Sequence, residues 1–167
     1  MNILIYLEKI KNNILKKENI FFIILTIIIF YLDRISKEKV IENFNDSVFY
    51  FNDYVNIDLI WNNGIGFGLL STNSSLIYNL VTLIIGLVIV FLTYIFCVSE
   101  KTDKLIYSII IGGALGNFSD RIIYKAVPDF IDLHFDNFHW FTFNVADIFI
   151  TIGIILYLIK GYFTEKT

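Results

Sequence analysis

The sequence predicts an all-α membrane protein. The expected fold is a four-transmembrane-helix bundle with an N-terminal interfacial amphipathic helix and a small strand-containing segment on the outer face. Two observations carry that expectation. The 167 residues are 56% hydrophobic and only 17% charged, with a mean hydropathy of +0.67, too apolar for a soluble domain of this size. The apolar residues also come in long blocks rather than at helical or alternating spacing, as a chain living in hydrocarbon requires. A net charge of -3 with no basic stripe gives nucleic-acid binding no support. Cys97 lies inside an apolar run with no histidine or cation beside it, and reads as a small buried hydrophobe.

Taken in order, residues 1–19 carry Lys9, Lys11, Lys16 and Lys17 among Ile3, Leu7, Ile10 and Ile14. That three-and-four spacing predicts a short helix lying on a membrane surface. No small-residue cleavage site follows the next apolar run, so a removable signal peptide is a poor match. Spans are expected at residues 20–35, 76–98, 105–123 and 143–163, each near the length that crosses a hydrocarbon core of roughly 30 Å at about 1.5 Å per residue. Outer segments fall at residues 36–75 and 124–142, and the whole chain, 1–167, reads as a single membrane domain. Residues 40–70 alternate loosely, with Val48, Tyr50, Val55, Ile57 and Leu59 among polar neighbours, which predicts short strands with Trp61 near the interface. Residues 62–68 read as a turn followed by apolar re-entry, residues 99–104 as a short cytoplasmic hairpin, and residues 124–142 as a loop. Phe138, Trp140 and Phe141 in that loop suggest an interfacial aromatic belt.

With the N-terminus inside, the inner segments hold eight of the thirteen Lys and Arg residues: Lys9, Lys11, Lys16, Lys17, Lys101, Lys104, Lys160 and Lys166. The bias places both termini in the cytoplasm. It also brings the unusual polar residues to one depth. Asp33 ends the first span, Asn117, Asp120 and Arg121 end the third, Asn144 and Asp147 begin the fourth, and Asp129 lies between the last two. Ionisable groups at membrane depth are costly and usually functional. Asn117 and Asp120 are three apart, as are Asn144 and Asp147, so each pair shares a helix face, and Asp33 can reach Lys37 across one turn. Gly112 and Gly116 form a small-residue face for close helix approach.

Two carboxylates held together cannot both ionise easily. One then serves as a base for water and the other as an acid for a carbonyl oxygen, the requirement of aspartic proteolysis. Asp147 is one candidate; Asp129 and Asp120 compete to be its partner. A small proton-coupled transporter or channel subunit is the alternative use of such acids, but a relay would spread them through the membrane rather than cluster them on one side. His134 and His139 stand beside Asp132 and Asp136 without zinc-type spacing, and read as interfacial histidines rather than metal ligands.

Five blocks, in order, carry a resemblance: Asp33-Arg-Ile-Ser-Lys37, Asn62-Asn-Gly-Ile-Gly-Phe67, Gly112-Gly-Ala-Leu-Gly-Asn-Phe-Ser-Asp-Arg121, Val127-Pro-Asp-Phe130 and Phe143-Asn-Val-Ala-Asp147. Together they resemble the lipoprotein signal peptidases, the type II signal peptidases of bacteria. The resemblance implies an aspartic endopeptidase that cleaves diacylglyceryl-modified prolipoproteins on the amino side of the lipid-modified cysteine, within the bacterial inner membrane. It implies Asp129 and Asp147 as the catalytic pair, with Asn117, Arg121 and Asn144 orienting them and touching substrate. Asp33, Lys37, Asn62 and Gly64 would shape the pocket and hold the outer segment, Asp120 would support the site by fixing backbone or Arg121, and Ala146 and Phe67 complete the matched positions. No metal or organic cofactor is implied, membrane lipid is the surrounding partner, and a monomer is expected. The chain departs from the family pattern at Arg34, at Ile65 and Gly66, and at Pro128 before Asp129.

Overall fold

The computed structural model describes residues 17–44, 47–64 and 75–164. Phe67, Ile65 and Gly66 lie outside these residues. So does the expected surface helix over residues 1–19, apart from its last three residues, which begin a longer helix. The described helices are α1 (Lys17–Phe44), α2 (Ser75–Val98), α3 (Lys101–Ile123) and α4 (Val145–Thr164), and the strands are β1 (Phe49–Asn52), β2 (Val55–Asn62), β3 (Val127–Phe135) and β4 (Phe138–Phe143).

The first span was expected to stop at residue 35, and it does not. Apolarity ends there but helicity continues, because residues 36–44 contain neither Pro nor Gly and pairs form one turn apart. Lys37 Nζ donates to Asp33 Oδ2 at 2.7 Å, and Arg34 reaches Glu38 at 3.4 Å. The 28 residues of α1 span about 42 Å, longer than a hydrocarbon core. Among the described residues, three helices are long and apolar enough to cross a membrane: α1 from Asn19, α2 and α4. They turn large apolar side chains outward, such as Leu76, Leu83, Leu87, Val90 and Phe91 on α2, which buries only Tyr78, Ile89, Phe96 and Cys97. Contiguous exposed apolar surface of this kind is the mark of a lipid-facing wall.

Helix α3 differs from the expectation of a fourth apolar span. It packs against each of the other helices and buries Lys104, Ser108, Asp120 and Arg121 as well as apolar groups. Its glycines let the neighbours close in. A Cβ on Gly113 would lie 2.6 Å from the Ala146 carbonyl oxygen of α4, and one on Gly116 would collide with the Asp33 carboxylate of α1. At the end of the bundle away from the strands, Phe22, Phe96, Cys97, Tyr107 and Ile111 form an apolar cluster. Lys104, expected in a short cytoplasmic hairpin, lies in a helix and is buried there. Helix α3 already begins at Lys101, and the Lys104 ammonium donates to Asn19 Oδ1 at 2.9 Å.

The strands form one antiparallel sheet in the order β1-β2-β3-β4. Half of it corrects the reading of residues 124–142 as a loop, since β3 and β4 make a hairpin there. Their turn is Asp136-Asn137, with Asp136 at φ 52, a conformation Asp and Asn tolerate better than other non-glycine residues. Asp129 therefore sits on a central strand, opposite Ile60 of β2. Strand β4 ends at Phe143 and α4 starts at Val145, leaving Asn144 alone between sheet and helix.

Candidate active site

Asn144 ties Asp129 to Asp147. Its backbone N–H donates to Asp147 Oδ2 at 3.2 Å and its Oδ1 accepts the Asp147 N–H at 3.1 Å, a reciprocal cap on the first turn of α4. With Oδ1 so engaged, its amide nitrogen points the other way and donates to Asp129 Oδ1 at 2.6 Å. Two further asparagines complete the arrangement. Asn62 of β2 accepts the Gly64 N–H at 2.8 Å and donates to Asp129 Oδ2 at 2.8 Å. Asn117 of α3 donates to Asp147 Oδ1 at 2.8 Å. Each of the four carboxylate oxygens thus accepts one N–H.

The two carboxylates differ in surroundings. Asp129 is 4% exposed, whereas Asp147 is partly exposed. Burial first, and repulsion from Asp147 second, push the Asp129 carboxyl up to about 6 against the opposing hydrogen bonds from Asn62 and Asn144. A carboxyl that holds its proton up to about 6 beside a partly exposed second carboxyl can supply one acid and one base.

Behind the pair lies a buried ionic cluster. Lys37 Nζ spends its three donors on Asp33 Oδ2 at 2.7 Å, Asp120 Oδ2 at 2.7 Å and Asn117 Oδ1 at 2.8 Å. Arg34 pairs with the other Asp120 oxygen, and the Ala146 N–H of α4 donates to Asp33 Oδ1 at 2.8 Å. Asp33, Lys37 and Asp120 are fully buried. Two acids against two bases leave the cluster neutral, which is how such charges survive out of water.

The signal peptidase (SPase) II family profile matches residues 25–163. The chain belongs to the signal peptidase II family. The lipoprotein signal peptidase of Pelagibacter ubique is 45% identical over 148 residues, 86% of this chain and 89% of that one. That of Blochmanniella pennsylvanica is 50% identical over 113 residues, 65% of this chain and 68% of its own. A solved structure described as a bacterial membrane enzyme superposes with a TM-score of 0.71 at 28% identity, covering 87% of this chain and 89% of that chain. As a signal peptidase II, the chain is a membrane-embedded peptidase.

Within this signal peptidase II, the described residues singled out from sequence meet at one end of the bundle. Asn117 and Asp120 share a face and both touch the Lys37 ammonium. Asp33 and Lys37 pair as their spacing suggested, but with no exposed surface they hold α1, α3 and α4 together rather than line a pocket. Ala146, fully buried, is the close contact of Gly113. Two expectations need correction. Asp120 binds Arg34 and Lys37 rather than Arg121, because those cations of α1 face it across the helix interface. Arg121 donates to the Gly64 carbonyl at 2.5 Å, and no hydrogen bond to either Asp129 or Asp147 joins it to the pair among the described residues. It steadies the turn whose Asn62 holds Asp129. Arg34 was noted only as a departure from the family pattern. Its place in the ionic cluster depends on Asp120, 86 residues away, which spacing within one helix does not reveal.

Outside this cluster, His139 Nδ1 lies 2.7 Å from Asp132 Oδ2, and its ring stacks on His134. Phe138, Trp140 and Phe141 lie exposed along β4.

Proposed function

We propose that this signal peptidase II is an aspartic endopeptidase acting on diacylglyceryl-modified prolipoproteins, with Asp129 and Asp147 as its catalytic pair. The observation that carries this reading is the pair itself: two carboxylates joined through Asn144, one buried and one partly exposed. In the reaction, the ionised carboxylate takes a proton from water as the water oxygen attacks the scissile carbonyl carbon. The protonated carboxyl gives its proton to the carbonyl oxygen. The tetrahedral intermediate then collapses: one of its hydroxyls returns a proton to the carboxylate that gave one, the C–N bond breaks, and the leaving nitrogen receives the proton first taken from water. The products are a signal peptide with a free carboxylate and a lipoprotein whose lipid-modified cysteine has a free amine.

The membrane arrangement belongs to the same proposal. Helix α3 acts as the fourth span, sheltered from lipid by α1, α2 and α4, and both termini lie in the cytoplasm of a bacterial cell. The sheet and the pair then sit near the outer face of the inner membrane, where water and a lipid-borne peptide both arrive. The protein works as a monomer without a metal or organic cofactor. A proton relay finds no support. Between Lys104 and Asn117 on α3, and between Asp147 and Lys160 on α4, tyrosine is the only ionisable type.

The test is cleavage of a diacylglyceryl-modified precursor by purified protein, with Asp129→Asn, Asp147→Asn and Asp120→Asn alongside and insertion checked for each. The expected result is loss of about 10³-fold in kcat for the first two and residual turnover for the third. Turnover by Asp129→Asn with none by Asp120→Asn would transfer the role to Asp120. A wild type that never cleaves defeats the reading.

A further inference from the structure

The geometry around Lys37 points beyond a role in holding helices together. We propose that Lys37 is a positioning residue: by occupying the Asn117 carbonyl it fixes the amide N–H on Asp147, so that Asp147 is the base and Asp129 carries the proton. The proposal rests on the reading of these two aspartates as the catalytic pair.

The argument begins with what an amide can do. A side-chain amide presents an acceptor on one side and donors on the other, and rotation by half a turn exchanges them. An ammonium has donors only, so the Asn117 oxygen must face Lys37 and its nitrogen must face Asp147. If the amide turned, its oxygen would face Asp147, and that carboxyl could keep the contact only by holding a proton. Lys37 has no freedom to release the amide, because its other two donors are committed to Asp33 and Asp120 and the side chain is fully buried.

The pair is supplied unequally as a result. The two amides on Asp129 are held by neutral backbone N–H groups, of Gly64 for Asn62 and of Asp147 for Asn144. The amide on Asp147 is held by a cation, which polarises its N–H and makes it the stronger donor. Lys37 of α1 and Arg121 of α3 are the cations beside Asp147. Asp33 of α1 and Asp120 of α3 lie behind Lys37 and bind it, while Asp129 of β3 is the opposing acid. From α2, the Tyr78 hydroxyl donates to the Arg121 carbonyl and brings no charge.

The experiment follows kcat and KM against pH with a diacylglyceryl-modified precursor. The variants are Lys37→Met, Asn117→Ala and the two combined. Lys37→Met/Asp120→Asn is added because it removes one charge of each sign and keeps the cluster neutral. Asp129→Asn and Asp147→Asn serve as controls on the underlying reading, since activity in either would sink the pair itself and not just this refinement. For Lys37→Met, the acidic limb of kcat/KM should move upward by about one pH unit, with kcat down about tenfold or more and KM within about twofold. Asn117→Ala should move it equally, and the combined variant no further.

An acidic limb that stays in place in a folded Lys37 variant overturns the proposal and leaves Lys37 a structural cation. So does a Lys37 effect that persists in full on top of Asn117→Ala, which would mean that its charge acts directly. Should neither Lys37 variant insert, Asn117→Ala decides alone. An unmoved limb there refutes the assignment.

Discussion

Asp129→Asn should abolish cleavage and yet make the protein more stable at neutral pH. The carboxyl at position 129 holds its proton up to about 6, against the ordinary 3.8 it would have in an unfolded chain. Below pH 3.8 both states keep the proton, and burial of a neutral acid costs nothing through this channel. Between 3.8 and 6 the unfolded chain releases its proton while the folded one does not, so stability falls as pH rises. Above 6 the loss is complete and amounts to about 3 kcal/mol, from about 1.4 kcal/mol per tenfold change in proton affinity. Asparagine cannot ionise and escapes this loss. It offers one oxygen to two donors, Asn62 and Asn144, so it forfeits a hydrogen bond worth about 1 kcal/mol. The variant should therefore be the less stable protein near pH 4 by about 1 kcal/mol and the more stable near pH 7.5 by about 2 kcal/mol. Thermal unfolding in detergent micelles, read by a thiol-reactive dye on the buried Cys97, measures both. The expected crossing is a gain of about 4–8 °C in midpoint at the higher pH. A difference between the two proteins that keeps the same sign and size at pH 4.5 and pH 7.5 would refute the account of Asp129.

Other outcomes follow from packing and local geometry. Gly116→Ala sets a methyl against the buried Asp33 carboxylate and should lower stability by about 2 kcal/mol or more, whereas Gly161→Ala, with nothing near its Cβ among the described residues, should be neutral or stabilising by up to about 1 kcal/mol. Unfolding midpoints of the two variants in one detergent make the comparison. Asn62→Ala removes a donor from Asp129 and lets the Gly64 turn loosen. We expect kcat to fall about 10-fold, measured on the lipid-modified precursor, with Asn62→Asp no better because a carboxylate cannot donate. At the β3–β4 turn, Asp136→Gly should leave the midpoint nearly unchanged while Asp136→Val costs about 1–2 kcal/mol, since valine resists positive φ. Equal midpoints for the glycine and valine variants would contradict the turn geometry.

The apolar helices were legible because blocks of Ile, Leu and Phe have few soluble uses. Their ends were less so. Hydropathy marks where hydrocarbon stops, and α1 runs on to Phe44 because Lys, Glu and Ile sustain a helix as well in water as in lipid. The β3–β4 hairpin was missed because Asp129, Asp132 and His134 interrupt any clean alternation over residues 127–135. A readable signal was nonetheless present in the two-residue Asp136-Asn137 turn between aromatic runs. Spacing correctly grouped Asn117 with Asp120 and Asn144 with Asp147, since face-sharing follows from helix pitch alone. It could not name partners on other helices. The pairing of Arg34 with Asp120, and the Arg121 contact to the Gly64 carbonyl, depend on how α1, α3 and the Asn62–Gly64 turn pack together.

One joint in this protein bears on how it could be disarmed. Asp129 rides on the sheet, Asp147 on a helix of the bundle, and a lone residue, Asn144, joins the two bodies and grips both acids. The working distance between the acids is therefore an angle between sheet and bundle. A misplacement of about 1 Å in reacting groups can cost about a hundredfold in rate. A small molecule wedged where β4 turns into α4 would need no affinity for carboxylates and no mimicry of a peptide. Prising the joint open by a few degrees would be enough.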